Sequence, residues 1–271
     1  METSAELRLQ PDARRYTLPH FLQDVVGRHG HRCALHFEGV DLSYAELERE
    51  ARAFARGLVG IGLSRGARVA VLLSNRPEWV IATFGVAMAG GVVVPVNTFG
   101  TPGEIDGILR HSDASILVLQ DSLRNHAYLA DLLSRHPGVS EAEPGRLWLE
   151  ALPSLRRIVA FGEGPRPGAV EDWAEMVEAG APVPEALLDA LVSEVTPSDD
   201  GILIYTSGTT AQPKGVLHRQ RAPVIQSWRF AEHYELSPAD IVWTAQPFFW
   251  TAGICMSLGA TLAAGGTLVL Q

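Results

Sequence analysis

Short apolar runs with no polar alternation, separated by helix-start signals, constrain this chain more than any other feature. They fall at residues 69–73 (VAVLL), 92–96 (VVVPV), 116–119 (ILVL) and 202–205 (ILIY). A strand that alternates polar and apolar residues can leave one face in water, whereas a continuous apolar strand must be covered on both. The intervening segments supply the cover. Asn75 and Pro77 start a helix that runs through Ala89. Thr101 and Glu104 form a capping box ahead of the next helix, as Ser43 and Glu46 do earlier. The Ser43 helix carries Leu47, Ala51, Phe54 and Leu58 at spacings of four, three and four, and Gly60 and Gly62 stop it. Thr17 and Pro19 open a shorter amphipathic helix that ends near Gly30. Strands alternating with helices through short loops predict an α/β fold, with doubly wound, mainly parallel sheets flanked by helices.

The remainder is punctuated differently. Residues 1–15 read as a flexible polar tail, and residues 137–170 are rich in Pro, Gly and Glu around one strand at 158–161. Two short helices follow around Trp173 and Leu187, and Ser198-Asp199-Asp200 makes a turn. Residues 79–103 and 241–271 carry no charge and are long enough to span a bilayer. Gly90-Gly91 breaks the first, and Pro247, Gly253 and Gly265-Gly266 break the second, so both are predicted as buried core. With an acidic N-terminus and two widely separated cysteines, Cys33 and Cys255, the chain reads as cytosolic, with no membrane insertion and no disulfide framework. His29, His31, Cys33 and His36 are close in sequence, but they cross a helix end, a turn and a strand, which disfavours a zinc site. The net charge of −9, with no basic run, excludes non-specific nucleic-acid binding.

One count stands out. Of 22 basic residues only Lys214 is a lysine. It lies in residues 206–215 (TSGTTAQPKG), directly after the apolar run 202–205; random placement in those ten of 271 positions has a chance of about 4%. Small residues let backbone N–H groups approach an anion, hydroxyls add donors and metal-binding oxygens, and lysine adds a mobile point charge. The segment reads as a phosphate-binding loop. It is not a Walker A motif, because Pro213 and Gly215 flank the lysine, which disfavours a P-loop ATPase. Nor is the glycine cluster at 60–66 a dinucleotide fingerprint, since it follows a helix.

Residues 205–215 (YTSGTTAQPKG) resemble the signature of the adenylate-forming superfamily: acyl-CoA synthetases, luciferases and peptide-synthetase adenylation domains. Ala211 stands where the usual form has glycine. Residues 42–47 (LSYAEL), 75–79 (NRPEW), 89–97 (AGGVVVPVN) and 246–253 (QPFFWTAG) are similar to other motifs of the same family, in the same order. Trp250 replaces a frequent histidine in the last of these.

The resemblance implies ATP-dependent activation of a carboxylic acid to an acyl-adenylate, followed by transfer to the thiol of CoA, as in an acid–thiol ligase. ATP, Mg2+ and CoA are the implied cofactors, and a small-molecule carboxylic acid is the partner. A homo-oligomer stays open. Thr206 matches the threonine that binds phosphate and helps hold magnesium. Ser207, Gly208, Thr209 and Thr210 match the loop around the β- and γ-phosphates, and Lys214 matches the loop lysine. Trp250 matches a wall between adenylate and acyl chain, with Gly253 giving room for substrate. Phe248, Phe249, Trp250 and Ile254 favour a hydrophobic acid, fatty or otherwise, over acetate.

The family pattern also implies that residues 16–271 are the N-terminal portion of an adenylation domain. Residues 64–225 would form a first α/β subdomain, and 16–63 with 226–271 the start of a second, incomplete one. The motifs that complete the magnesium site, bind ribose and carry the adenylation lysine lie beyond residue 271 in that pattern, with the C-terminal domain. The expectation is therefore a truncated chain without full activity alone. The rival reading is a catalytically silent module that binds nucleotide or an acyl ligand.

Overall fold

The computed structural model describes residues 12–206 and 214–271. After a 3-10 turn (Ala13–Arg15), helix α1 spans Leu18–His29 and leads into strands β1 (Cys33–Phe37) and β2 (Val40–Ser43), then helix α2 (Tyr44–Gly60). The alternation follows as β3 (Arg68–Leu72), α3 (Pro77–Met88), β4 (Val92–Pro95), α4 (Pro102–His111), β5 (Ile116–Gln120), α5 (Tyr128–Arg135), α6 (Gly138–Glu141) and β6 (Arg157–Phe161). Then come β7 (Val170–Asp172), α7 (Trp173–Ala179), α8 (Glu185–Glu194), β8 (Asp200–Thr206), β9 (Lys214–Arg219), α9 (Arg221–His233) and β10 (Ile241–Trp243). A π-helical segment, Ala252–Gly259, continues as α10 (Ala260–Ala264) before β11 (Thr267–Val269).

The larger sheet has seven strands in the order β7-β6-β5-β3-β4-β8-β9. Every pair is parallel except β8–β9. The second sheet has the order β10-β11-β1-β2, parallel but for the β1–β2 hairpin. Continuous apolar runs become strands buried on both faces, as the lack of alternation requires. Val69, Val71, Val93 and Val118 point into one core with α2 and α3, while Ala70, Leu72, Val94 and Leu119 point into a second with α4 and α5. Helix α3 is buried all round from Trp79 to Met88, so its residues show no amphipathic stripe. It approaches α2 closely because Gly85 is bare: a Cβ there would lie 2.8 Å from the Phe54 ring and 2.9 Å from the Ala51 carbonyl oxygen.

The helix starts that carry a capping signal in the sequence follow it with one exception. Both capping boxes form, and Thr17 accepts from the His20 N–H at 3.3 Å as the N-cap of α1. Thr17 is fully buried, and its hydroxyl also meets His20 Nδ1 at 2.8 Å. Thr17→Ala is expected to cost about 0.5–2 kcal/mol of unfolding free energy in a denaturant titration. The exception is Asn75. Helix α3 has no side-chain cap, and Asn75 is engaged elsewhere.

The charge-free stretches resolve into α3 with β4, and into β10, the π-helical segment, α10 and β11. Among the described residues no helix is long and apolar enough to cross a membrane. Helix α9 begins at Arg221, with Pro223 in its first turn, where a missing N–H is tolerated.

Candidate functional site

Strand β8 sits between β4 and β9, and its apolar stretch is fixed by burial of Ile202, Leu203 and Ile204. The turn out of β8 returns the chain as an antiparallel partner, with Ile204 opposite Val216, Tyr205 opposite Gly215, and Thr206 opposite Lys214. The lone lysine and the first threonine of the loop are therefore cross-strand neighbours, a spacing of about 4.5–5.5 Å between α-carbons. Both side chains are exposed. Among the described residues Lys214 has no carboxylate partner, in contrast to arginines such as Arg52, Arg56 and Arg166. An ammonium left free in an acidic protein is available to an anionic ligand. Ser207, Gly208, Thr209, Thr210 and Ala211 lie outside the described residues.

Tyr205 braces the stem of this hairpin. Its hydroxyl meets His111 Nδ1 at 2.7 Å, and a Cβ on Gly215 would lie 3.4 Å from the Tyr205 ring. Burial pushes the Tyr205 hydroxyl up from its ordinary range, so it stays protonated and can donate to the imidazole. His111 ends α4, so one hydrogen bond ties the loop stem to that helix.

The second group of candidate residues lies on the segment before the π-helix. Asn75 clamps it: its Nδ2 donates to the Gln246 carbonyl at 2.8 Å, and its Oδ1 accepts the Phe248 N–H at 2.9 Å. Phe248 is buried against Trp79, with ring centroids 5.0 Å apart. Phe249 packs edge-on between Phe99 and Trp250, at 5.6 and 5.4 Å. Trp250 itself is 49% exposed, a flat apolar surface open to a ligand. Thr244, Ser257 and Gln246 form a hydrogen-bonded set behind it, with Thr244 Oγ1 to Ser257 Oγ at 3.0 Å. Asn75→Ala removes two bonds and is expected to cost about 1–3 kcal/mol. Amide hydrogen exchange would report it as faster exchange at Phe248.

Gly253 is packed closely by its own chain: a Cβ there would collide with the Pro247 carbonyl oxygen and crowd Phe248 Cα. The glycine lets the turn at 247–250 close onto the start of the π-helical segment, where the Ile254 N–H reaches the Trp250 carbonyl at 3.0 Å. The two groups of residues share a wall. Ile204, two residues before Thr206, lines a cavity with Thr251 and Ile254.

The histidine–cysteine group near residue 30 does not converge. His36 Nδ1 meets Asp41 at 2.5 Å, Cys33 Sγ turns to the Leu35 carbonyl, and His29 lies beside the Tyr44 ring. Among the described residues no three His, Cys, Asp or Glu side chains come together to hold a metal ion. The sequence reading missed the Asn75 clamp and the His111–Tyr205 contact. Asn75 stands in a recognisable motif, but its partners are 171 and 173 positions away.

A family model described as AMP-binding enzyme matches residues 22–271. The long-chain-fatty-acid–CoA ligase ACSBG1 of Mus musculus is 30% identical over 248 residues, which is 89% of this chain and 30% of that protein. The crystal structure of the anthranilate CoA ligase AuaEII with anthranoyl-AMP superposes with a TM-score of 0.78 at 24% identity, over 96% of this chain and 45% of that one. The apo structure of MbtA from Mycobacterium smegmatis superposes with a TM-score of 0.77 at 26% identity, over 95% and 44%. The chain spans well under half the length of the curated relatives it matches, 41% and 30% for two of them.

Proposed function

The chain belongs to the AMP-binding enzyme family, and from that premise we propose that it activates a hydrophobic carboxylic acid with ATP and passes the acyl group to CoA. The substrate carboxylate attacks the α-phosphorus, pyrophosphate leaves, and the thiol then displaces AMP from the acyl-adenylate. The observation that carries the reading is the Thr206–Lys214 pair: the only lysine in the chain, with no carboxylate partner among the described residues, stands across the strands from the threonine that begins a Ser, Thr and Gly-rich loop.

The chemistry follows from charge. Negative charge builds on pyrophosphate as it departs, and donors already in place stabilise that charge more than they stabilise bound ATP. Lys214 supplies a point charge, Thr206 supplies a hydroxyl, and Ser207, Gly208, Thr209 and Thr210 are the loop positions assigned to the β- and γ-phosphates. Tyr205 and His111 hold the stem of that loop. The donor set suits magnesium through the Thr206 oxygen, and the ion when bound would neutralise phosphate charge. Trp250 offers a wall beside the adenylate.

We assign residues 64–225 to one subdomain and 16–63 with 226–271 to another. In support, strands β3 to β9 form the seven-stranded sheet, and β1, β2, β10 and β11 form the second. The test is a titration with ATP and magnesium, with and without carboxylic acids, scored for binding, pyrophosphate and acyl-adenylate. Saturable ATP binding and acid-dependent pyrophosphate are expected. No ATP binding would overturn the reading, and ATP binding with no acid-dependent pyrophosphate would favour a silent binding module.

A further inference from the structure

Beyond Ile202 the phosphate hairpin leaves the sheet that carries it. Strand β8 pairs with β4 at one position, Val93 with Ile202, and β9 on its other side is the edge of the sheet. The cause lies in β4. The N–H groups of Val92 and Val96 turn toward β3, donating to the Ala67 and Val71 carbonyls at 2.9 and 3.0 Å. Successive residues of a strand turn to opposite neighbours, so Val93 and Pro95 face β8. In the register that pairs Val93 with Ile202, the next such position sets Pro95 against Ile204, and proline has no N–H to donate. Among the described residues, 203–206 and 214–217 therefore project past the ladder with each other as strand partners.

One side-chain hydrogen bond among the described residues ties this projecting part to the rest of the protein: Tyr205 Oη to His111 Nδ1, at 2.7 Å. Both ends of it are well placed. His111 is the last residue of α4, which is anchored by buried Ile105, Ile108 and Leu109. Tyr205 precedes Thr206, and its ring lies beside Gly215, the neighbour of Lys214, where a Cβ would come 3.4 Å from Cζ. The two rings meet edge-on with centroids 5.6 Å apart. Both side chains line an open cleft of about 680 Å3 along α4, so water is at hand to replace a lost partner. Losing the bond then costs the fold little but leaves the end of the hairpin untethered.

We propose that His111 is a positioning residue for the phosphate chemistry, acting through the Tyr205 hydroxyl to fix where Thr206 and Lys214 stand. The inference rests on the function proposed above and extends it to a residue outside the phosphate loop. The bond takes over where Pro95 ends the ladder, and small displacements of a catalytic group carry large rate costs.

The experiment uses three variants and two readouts. Tyr205→Phe keeps the ring and removes the hydroxyl, His111→Ala removes the acceptor, and His111→Asn returns an acceptor near the place of Nδ1. Protein labelled with 15N only in lysine shows one backbone amide, that of Lys214. Its hydrogen exchange is expected to quicken about two- to tenfold in Tyr205→Phe and His111→Ala, and to recover in His111→Asn. In the same proteins kcat for acid-dependent pyrophosphate release is expected to fall about tenfold or more, with KM for the acid held within about twofold. The Tyr205→Phe/His111→Ala double variant is expected to lose no more than the worse single one, as members of one unit do. Unchanged exchange and kcat in folded Tyr205→Phe protein would overturn the proposal. A lowered denaturation midpoint with kcat unchanged would overturn it too, leaving a structural contact only. If the unsubstituted protein binds no ATP, the proposed function falls; quickened Lys214 exchange in the variants would then still support the tether, and unchanged exchange would overturn it.

Discussion

Replacing Lys214 with alanine is expected to slow the proposed acyl-adenylate formation by about 10²–10³-fold, measured in a single turnover against the unsubstituted protein. The size follows from what is lost. The ammonium stands on β9 directly opposite Thr206 and has no carboxylate partner among the described residues, so its charge is not spent within the protein. No other lysine can substitute, because there is none. The folding cost is small, since the side chain is exposed. Lys214→Arg is a sharper control: it keeps the charge but replaces a compact ammonium by a planar fork suited to bidentate contacts. Only partial recovery is expected. A Lys214→Ala protein with unchanged turnover would make the loop lysine dispensable.

Replacing Trp79 with alanine destabilises the fold by about 3–5 kcal/mol. Trp79 is 1% exposed, one of the largest fully buried side chains in the protein, and it opens α3, the helix wedged between α2 and the main sheet. Its ring supports Phe248 at 5.0 Å, so the cavity left behind undermines the segment that carries Trp250. Equilibrium denaturation should show the loss. Hydrogen exchange should place the extra opening at residues 246–250, where the Asn75 clamp would carry the load alone. A loss below about 1 kcal/mol would mean that neighbouring side chains collapse into the gap.

The parts of this fold that could be read from the sequence are those whose signal is local. Continuous apolar runs became doubly covered strands, and the Ser43 and Thr101 boxes became helix starts. Helix α5 escaped because it lacks such a signal: its N-cap is Ala127, with no side-chain bond. Strand β9 escaped for a related reason. It is an edge strand with Val216 and Leu217 about 40% exposed, so no buried face imposes a pattern on its residues. The site divided along the same line. Thr206 and Lys214 were legible because they are eight positions apart in one loop, whereas Asn75 and Gln246 meet only through the fold. At Gly253 the sequence shows that a glycine is bare but not what lies beside it, which in the fold is the Pro247 carbonyl. The π-helical turn has no sequence signal of its own.

A single lysine offers a single reporter. Protein labelled with 13C only in lysine places one side-chain signal at the centre of the proposed site, and titration with ATP and magnesium asks directly whether Lys214 meets the nucleotide. A saturable shift of that one signal, absent with adenosine and retained with ATP, is the expected result. A signal that stays in place while ATP binds would contradict the assignment of residues 206–214 as the phosphate loop.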